Sequence, residues 1–187
     1  MAIIGVVGQN GSGKDEVVKF LKKKYNVPFL SSGDIVREIA AREKINATRE
    51  NLSTISENLF RQFGKGYFMK QIAVKILQHR WDNAGISGIR SPEDVKALKD
   101  AFGKRFFLIN VHVTNPQQRY ERMSQRGEAR DALSNNEFAR QDANEEKLFR
   151  ISETVRLAEV SLSNDGTLED LHRAIEELVN RKTLIKK

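Results

Sequence analysis

Ile3-Ile4-Gly5-Val6-Val7-Gly8-Gln9-Asn10-Gly11-Ser12-Gly13-Lys14-Asp15 is the stretch on which the fold turns. An apolar run enters a glycine-rich turn, a lysine follows, and helical spacing of Val17, Val18 and Leu21 begins at once. Strand, glycine loop, lysine and helix, in that order, form the context of a phosphate-binding P-loop. Glycines let successive backbone N–H groups curl around an anion, and the N-terminus of the following helix adds partial positive charge. In this reading Gly8, Gln9, Asn10, Gly11, Ser12, Gly13 and Lys14 cradle a triphosphate, with Lys14 reaching the β- and γ-phosphates. The Ser or Thr that usually follows the lysine and ligates Mg²⁺ is Asp15 here, so the metal contact must be built differently.

The chain of 187 residues suits one domain, 1–187, large enough to bury a real core. Charged residues make up 30% and hydrophobic ones 39%, a balance that fits a folded globular chain rather than a disordered one. No apolar run approaches the roughly 18 residues of a membrane span. The N-terminus enters strand pattern directly, so no targeting segment is expected and the cytoplasm is the default location. With no cysteine, disulfides and thiolate metal sites are excluded. The excess of 32 Lys and Arg over 25 Asp and Glu gives a charge of +7, which attracts nucleotide phosphates as readily as nucleic acid. Lys22-Lys23-Lys24 falls late in a helix, where cations complement the dipole. No basic strand rich in aromatics suggests base stacking, so nucleic acid is an improbable partner.

Apolar runs at 2–8, 28–31, 84–89, 105–114 and 158–164 read as strands, with helical patterns between them. Phe106 to Val113 is nearly continuous, as in a strand covered on both faces. Ser91-Pro92, Asn115-Pro116 and Thr167-Leu168 read as helix starts, and Leu168, Leu171, Ile175 and Leu178 as one apolar face of the last helix. Such alternation predicts an α/β fold with a parallel sheet flanked by helices, whose ligands sit at the carboxyl edge of the strands. Residues 45–82 hold two helical patterns and no strand, with Phe68, Ile72, Ile76 and Leu77 at core spacing; they read as a helical insertion beside that edge. The polar stretch 127–136 reads as a lid.

Four further segments meet that edge. In Ser32-Gly33-Asp34-Ile35-Val36-Arg37, Ser32 or Asp34 caps a helix, and Arg37 is either surface or a clamp for a second phosphate. Gly88 and Arg90 end the third strand, as a plain turn or as a second arginine facing the same cleft. Arg119, Arg122, Arg126 and Arg130, followed by Asp131, run at helical spacing toward the lid. Arg119 reads as part of a solvated face, whereas Arg126 and Arg130 are placed to neutralise charge on a transferring phosphoryl group. Asn164-Asp165-Gly166 is a turn and helix cap, or a border to an adenine ring.

Together these residues resemble the nucleoside monophosphate kinase group of P-loop kinases, above all adenylate-kinase-related and dephospho-CoA-kinase-like proteins. Ser32-Gly33-Asp34-Ile35-Val36-Arg37 is similar to the motif whose arginine holds the acceptor phosphate, and Gly88-Ile89-Arg90-Ser91 to the segment supplying a second acceptor arginine. Asn164-Asp165-Gly166 is similar to the loop beside the donor adenine. The resemblance implies a five-stranded parallel sheet, an acceptor-binding helical insertion, a lid, ATP with Mg²⁺ as donor, and a nucleotide-like acceptor, in a monomer or homodimer. Two departures stand out. Ser87 occupies a position where many relatives carry an acidic residue that orders the Mg²⁺ waters, and Asp15 adds a carboxylate to the loop. We expect Asp15 to supply the metal contact that Ser87 lacks. Gln141 stands where a lid-flanking arginine is expected, with Arg140 beside it.

The leading expectation is phosphoryl transfer to a nucleoside monophosphate, with Lys14, Arg126 and Arg130 at the moving group and Arg37 and Arg90 on the acceptor. The alternatives are dephospho-CoA kinase-like transfer to a ribose hydroxyl, with Asp34 as the base, and a nucleotide-binding regulatory protein with little turnover.

Overall fold

A computed structural model of the chain describes residues 1–126 and 134–185, apart from the side chains of Arg49 and Arg126. The first strand, β1 (Ile3–Val7), is buried along its whole length. Its side chains alternate between two cores: Ile3 and Val7 join one, Ile4 and Val6 the other. This period of two, apolar on both faces, is what a central strand covered by helices requires.

The chain continues through α1 (Lys14–Tyr25), β2 (Phe29–Ser31), α2 (Ser32–Arg42), α3 (Arg49–Phe63) and α4 (Tyr67–Gln78). It returns as β3 (Ala84–Ser87), α5 (Pro92–Phe102), β4 (Phe106–His112), α6 (Pro116–Arg126), α7 (Asn135–Phe149), α8 (Ile151–Val155), β5 (Val160–Ser163) and α9 (Leu168–Lys182). The strands form one parallel sheet in the order β2-β3-β1-β4-β5. Five parallel strands were expected from the sequence; their order was not visible in it. Helices α2, α3, α4 and α5 cover one face, and α1 and α9 the other. Val18 of α1 lies 3.3 Å from where a Cβ on Gly85 would stand, so α1 rests directly on β3.

Local sequence sets the helix starts. Ser31, Ser91 and Thr167 each close a capping box with the aspartate three residues on, Asp34, Asp94 and Asp170, satisfying N–H groups that a helix start leaves open. The cap of α2 is therefore Ser31, one residue before the expected Ser32, and Asp34 is its reciprocal partner. Pro116 opens α6, and the Asn115 side chain accepts from the Gln117 N–H. Two residues expected in the core stand outside it. Leu77 is 54% exposed, since Met69, Ile72, Ala73 and Ile76 define the buried stripe of α4. Leu168 sits in the first turn of α9, ahead of the buried Leu171, Ile175 and Leu178, and is exposed. Of the expected lid, residues 127–133, including Arg130 and Asp131, lie outside the described residues.

Candidate functional site

The glycine loop leaves β1 at the centre of the sheet and turns into α1, with Gly13 as N-cap and Lys14 as the first helical residue. A loop that turns its N–H groups toward an anion turns its carbonyls inward, where each needs a donor. The structure supplies them. The Gln9 carbonyl accepts from the Ser12 N–H at 3.2 Å. The Asn10 carbonyl accepts from the Arg119 guanidinium at 2.9 Å. The Ser12 carbonyl accepts from the Asn164 amide at 2.9 Å. Gly13 has φ of +92°, and a Cβ there would stand 2.3 Å from the Asn164 amide nitrogen, so both its conformation and its neighbour demand glycine. Ser12 is fully buried, and its hydroxyl has no protein partner.

Asn164 thus supports the loop: it is 7% exposed and its amide donates to the Ser12 carbonyl. Arg119 also departs from expectation. It is no solvated residue but 3% exposed, stacked over Phe138 at 5.0 Å and bridged through both terminal nitrogens to Asp142 of α7. Helical spacing placed Arg119 and Arg122 on one side of α6, yet they serve different neighbours: Arg122 donates to the Gly166 carbonyl. Breaking a buried pair such as Arg119–Asp142 from one side costs about 3–5 kcal/mol, because the remaining charge is stranded. The loops after β4 and β5 are joined by Asp165, which accepts from the Thr114 N–H at 2.7 Å and the Ser163 hydroxyl at 2.6 Å. These bonds hold its carboxyl below the usual range, the Ser163 hydroxyl contributing most. Arg140 is exposed, and Gln141 donates to Glu137 at 3.4 Å. The Arg126 backbone ends α6.

The other half of the edge carries the second pair of arginines. Ser31 and Ser87 are register partners of β2 and β3, and the turns that follow touch. Gly88 has φ of +79°, and a Cβ there would lie 2.4 Å from the Ser32 hydroxyl. Arg37 leaves the second turn of α2 and pairs with Asp34 at 2.6 Å, its guanidinium lying over Gly33. Arg90 is held more elaborately. Its N–H donates to Asp94 at 3.0 Å, its carbonyl accepts from the buried Thr154 hydroxyl at 2.9 Å, and its guanidinium lies 5.2 Å over the Phe149 ring. Asp94 also accepts from the Ser91 N–H and from Gly66, the N-cap of α4, at 2.9 and 3.1 Å. Burial raises its pKa above the ordinary carboxylate value, against the pull of the Ser91, Arg90 and Gly66 N–H groups and the Ser91 hydroxyl. The Ser91-x-x-Asp94 capping pattern could have pointed to it from sequence; Thr154 and Phe149 left no such local signal.

Among the described residues no three His, Asp or Glu side chains gather as a metal site. Asp15 is half-buried in the first turn of α1, directly after Lys14.

A glycine loop after the central strand of a β2-β3-β1-β4-β5 parallel sheet, with helices on both faces, is the fold of the P-loop kinases. The chain belongs to the family described as AAA domain, whose model matches residues 7–139, and to the UPF0200 proteins. It is 37% identical to the UPF0200 protein of Thermococcus sibiricus, across 99% of this chain and 97% of that one. In fold it is similar to shikimate kinase from Acinetobacter baumannii in complex with shikimate (TM-score 0.61, 17% identity, 99% and 96% of the two chains covered). It is similar also to a gluconokinase from Sinorhizobium meliloti 1021 (TM-score 0.57, 13% identity, 97% and 95% covered).

Asp34 makes a prediction about pH. Burial pushes its pKa up, but the Ser31 hydroxyl, the Arg37 guanidinium and the Ser31 N–H outweigh that and hold it below the ordinary carboxylate value. A carboxyl that titrates lower folded than unfolded stabilises the fold fully above about pH 4, and that contribution is lost as pH falls through the folded value. Ser31→Ala should therefore raise the Asp34 pKa in a carboxyl NMR titration and lower stability at neutral pH by about 1 kcal/mol. The loss of stability in acid should become shallower in urea melts. An unchanged Asp34 titration would contradict the cap.

Proposed function

We propose that this chain transfers the γ-phosphoryl group of ATP to the phosphate of a nucleoside monophosphate or similar nucleotide. The observation that carries the reading is the state of Asp34. A hydroxyl acceptor needs a base to take its proton as the bond forms, and Asp34 is the acidic residue that the sequence offers for that task. Its carboxylate instead accepts from the Ser31 N–H and hydroxyl at 2.7 Å each and from Arg37 at 2.6 Å, with its pKa lowered. A phosphate acceptor, with second pKa about 6, is an anion at neutral pH and requires no base. Arg37 on α2, and Arg90 beyond the Gly88 that touches the start of that helix, suit such an anion. The kinase names of the structural neighbours support phosphoryl transfer as the reaction class.

In this reading the loop from Gly8 to Gly13 and Lys14 hold the donor triphosphate, while Arg37 and Arg90 hold the acceptor, with Ser32, Gly33 and Gly88 shaping its pocket. Gly166 borders the donor base. Arg126 and Arg130 would neutralise charge on the transferring group. Mg²⁺ would offset the charge of the triphosphate. Packing supports Asp15 as its protein contact. Val18 rests on Gly85, and α1 begins at the edge where β3 ends, so Asp15 and Ser87 both lie toward the carboxyl edge of the sheet. An unscreened carboxylate ~4 Å from a phosphate oxygen would repel it by ~4 kcal/mol at an effective dielectric of ~20.

Two measurements test this. Asp34→Asn should weaken acceptor binding through Arg37 while leaving kcat within about tenfold; a fall in kcat of about 10²- to 10⁴-fold would instead favour a hydroxyl acceptor and a base. Calorimetry should find ATP bound much more tightly with Mg²⁺ than with EDTA, and the difference should shrink in Asp15→Asn. Equal affinities in wild type would overturn the role given to Asp15.

A further inference from the structure

Helix α7 carries two carboxylates one turn apart, and they meet two arginines differently. Asp142 is bridged by both terminal nitrogens of the buried Arg119, which fixes α7 against α6 and the glycine loop. Glu145, one turn on, stands 3.7 Å from a terminal nitrogen of Arg90. That separation is too long for a hydrogen bond but well within ion-pair range. Arg90 has little freedom to retreat, since Asp94 and Thr154 hold its backbone. One face of its guanidinium is covered by Phe149, itself packed on Phe60 of α3. Its nitrogen edge remains for a ligand, with the side chain 41% exposed and Glu145, 21% exposed, beside it. Arg150, the arginine at the end of α7, is engaged by Glu93 and Glu153 and does not draw Glu145 away.

We propose that Glu145 is a built-in counter-anion of Arg90 and determines how tightly the acceptor phosphate binds there; the inference rests on the phosphate-acceptor reading above. The incoming phosphate takes the same guanidinium edge against a carboxylate that the Arg119–Asp142 pair keeps in place. Glu145 therefore weakens acceptor binding selectively and keeps Arg90 from holding an arbitrary anion when the acceptor is absent.

The test is Glu145→Gln, alone and combined with Arg90→Gln, under saturating ATP–Mg²⁺ with nucleoside monophosphates as acceptors. The acceptor KM should fall about 3- to 10-fold, while the KM for ATP moves less than about twofold, and the gain should vanish in the Arg90→Gln background. Glu145→Asp, which withdraws the charge by one methylene, should fall between wild type and Glu145→Gln, and it serves if the glutamine variant folds poorly. An acceptor KM that is unchanged or raised in Glu145→Gln, or a gain that survives without Arg90, overturns the proposal. Inorganic phosphate binding with saturating ADP in the loop separates this result from failure of the phosphotransfer reading. If no monophosphate is turned over, that reading falls, and Glu145 is still decided by whether Glu145→Gln binds phosphate more tightly or identically.

Discussion

A backbone that offers its N–H groups to an anion must hide its carbonyls, and the fate of those carbonyls organises this protein. The carbonyl of Asn10 is met by Arg119 and that of Ser12 by Asn164, residues far along the chain from the loop. The loop is therefore completed by the helix that follows β4 and the turn that follows β5. An unsatisfied buried carbonyl costs about 1–3 kcal/mol, so the second half of the sheet stabilises the glycine loop in this shape. The central position of β1, between β3 and β4, makes both approaches short.

The helix that backs the loop, α6, is joined through α7 to the turn that carries Arg90. Arg119 fixes α7 through Asp142, and α7 presents Glu145 and Phe149 to Arg90. Asp94 joins the start of α4 to the turn that carries Arg90. The glycine loop, α7 and Arg90 form one connected frame, so a change at Asp142 would be felt at both the loop and Arg90. The two acceptor-side arginines are each accompanied by a carboxylate, Arg37 by Asp34 and Arg90 by Glu145. In the proposed reading a phosphate entering at Arg90 exchanges one anion for another, whereas Asp34 stays on Arg37 and orients it.

What was legible in the sequence was local. The glycine loop, the five strands and the caps at Ser91 and Thr167 are written in neighbouring residues, because turn geometry, period-two burial and capping act over a few positions. Ser31 was missed by one residue because Ser31 and Ser32 are equally able caps, and only the spacing to Asp34 separates them. Arg119 was misread because helical spacing shows which residues share a face but not whether another helix covers it; Phe138 and Asp142 do so here. Leu77 and Leu168 mark where an apolar period outlasts the buried stripe. The pairing of Arg90 with Glu145, Thr154 and Phe149 depends on tertiary packing of segments more than fifty residues apart, and nothing near Arg90 announces it.

The proposed reaction requires a phosphate, rather than a hydroxyl, as the accepting group. The direct measurement is ADP release from ATP–Mg²⁺ in a coupled assay, run against the ribo- and deoxyribonucleoside monophosphates and dephospho-CoA. Acceptor-dependent release with at least one monophosphate, lost in Arg90→Gln, is the predicted result. Release with dephospho-CoA alone, or tight ATP binding with no acceptor-dependent release at all, would contradict it.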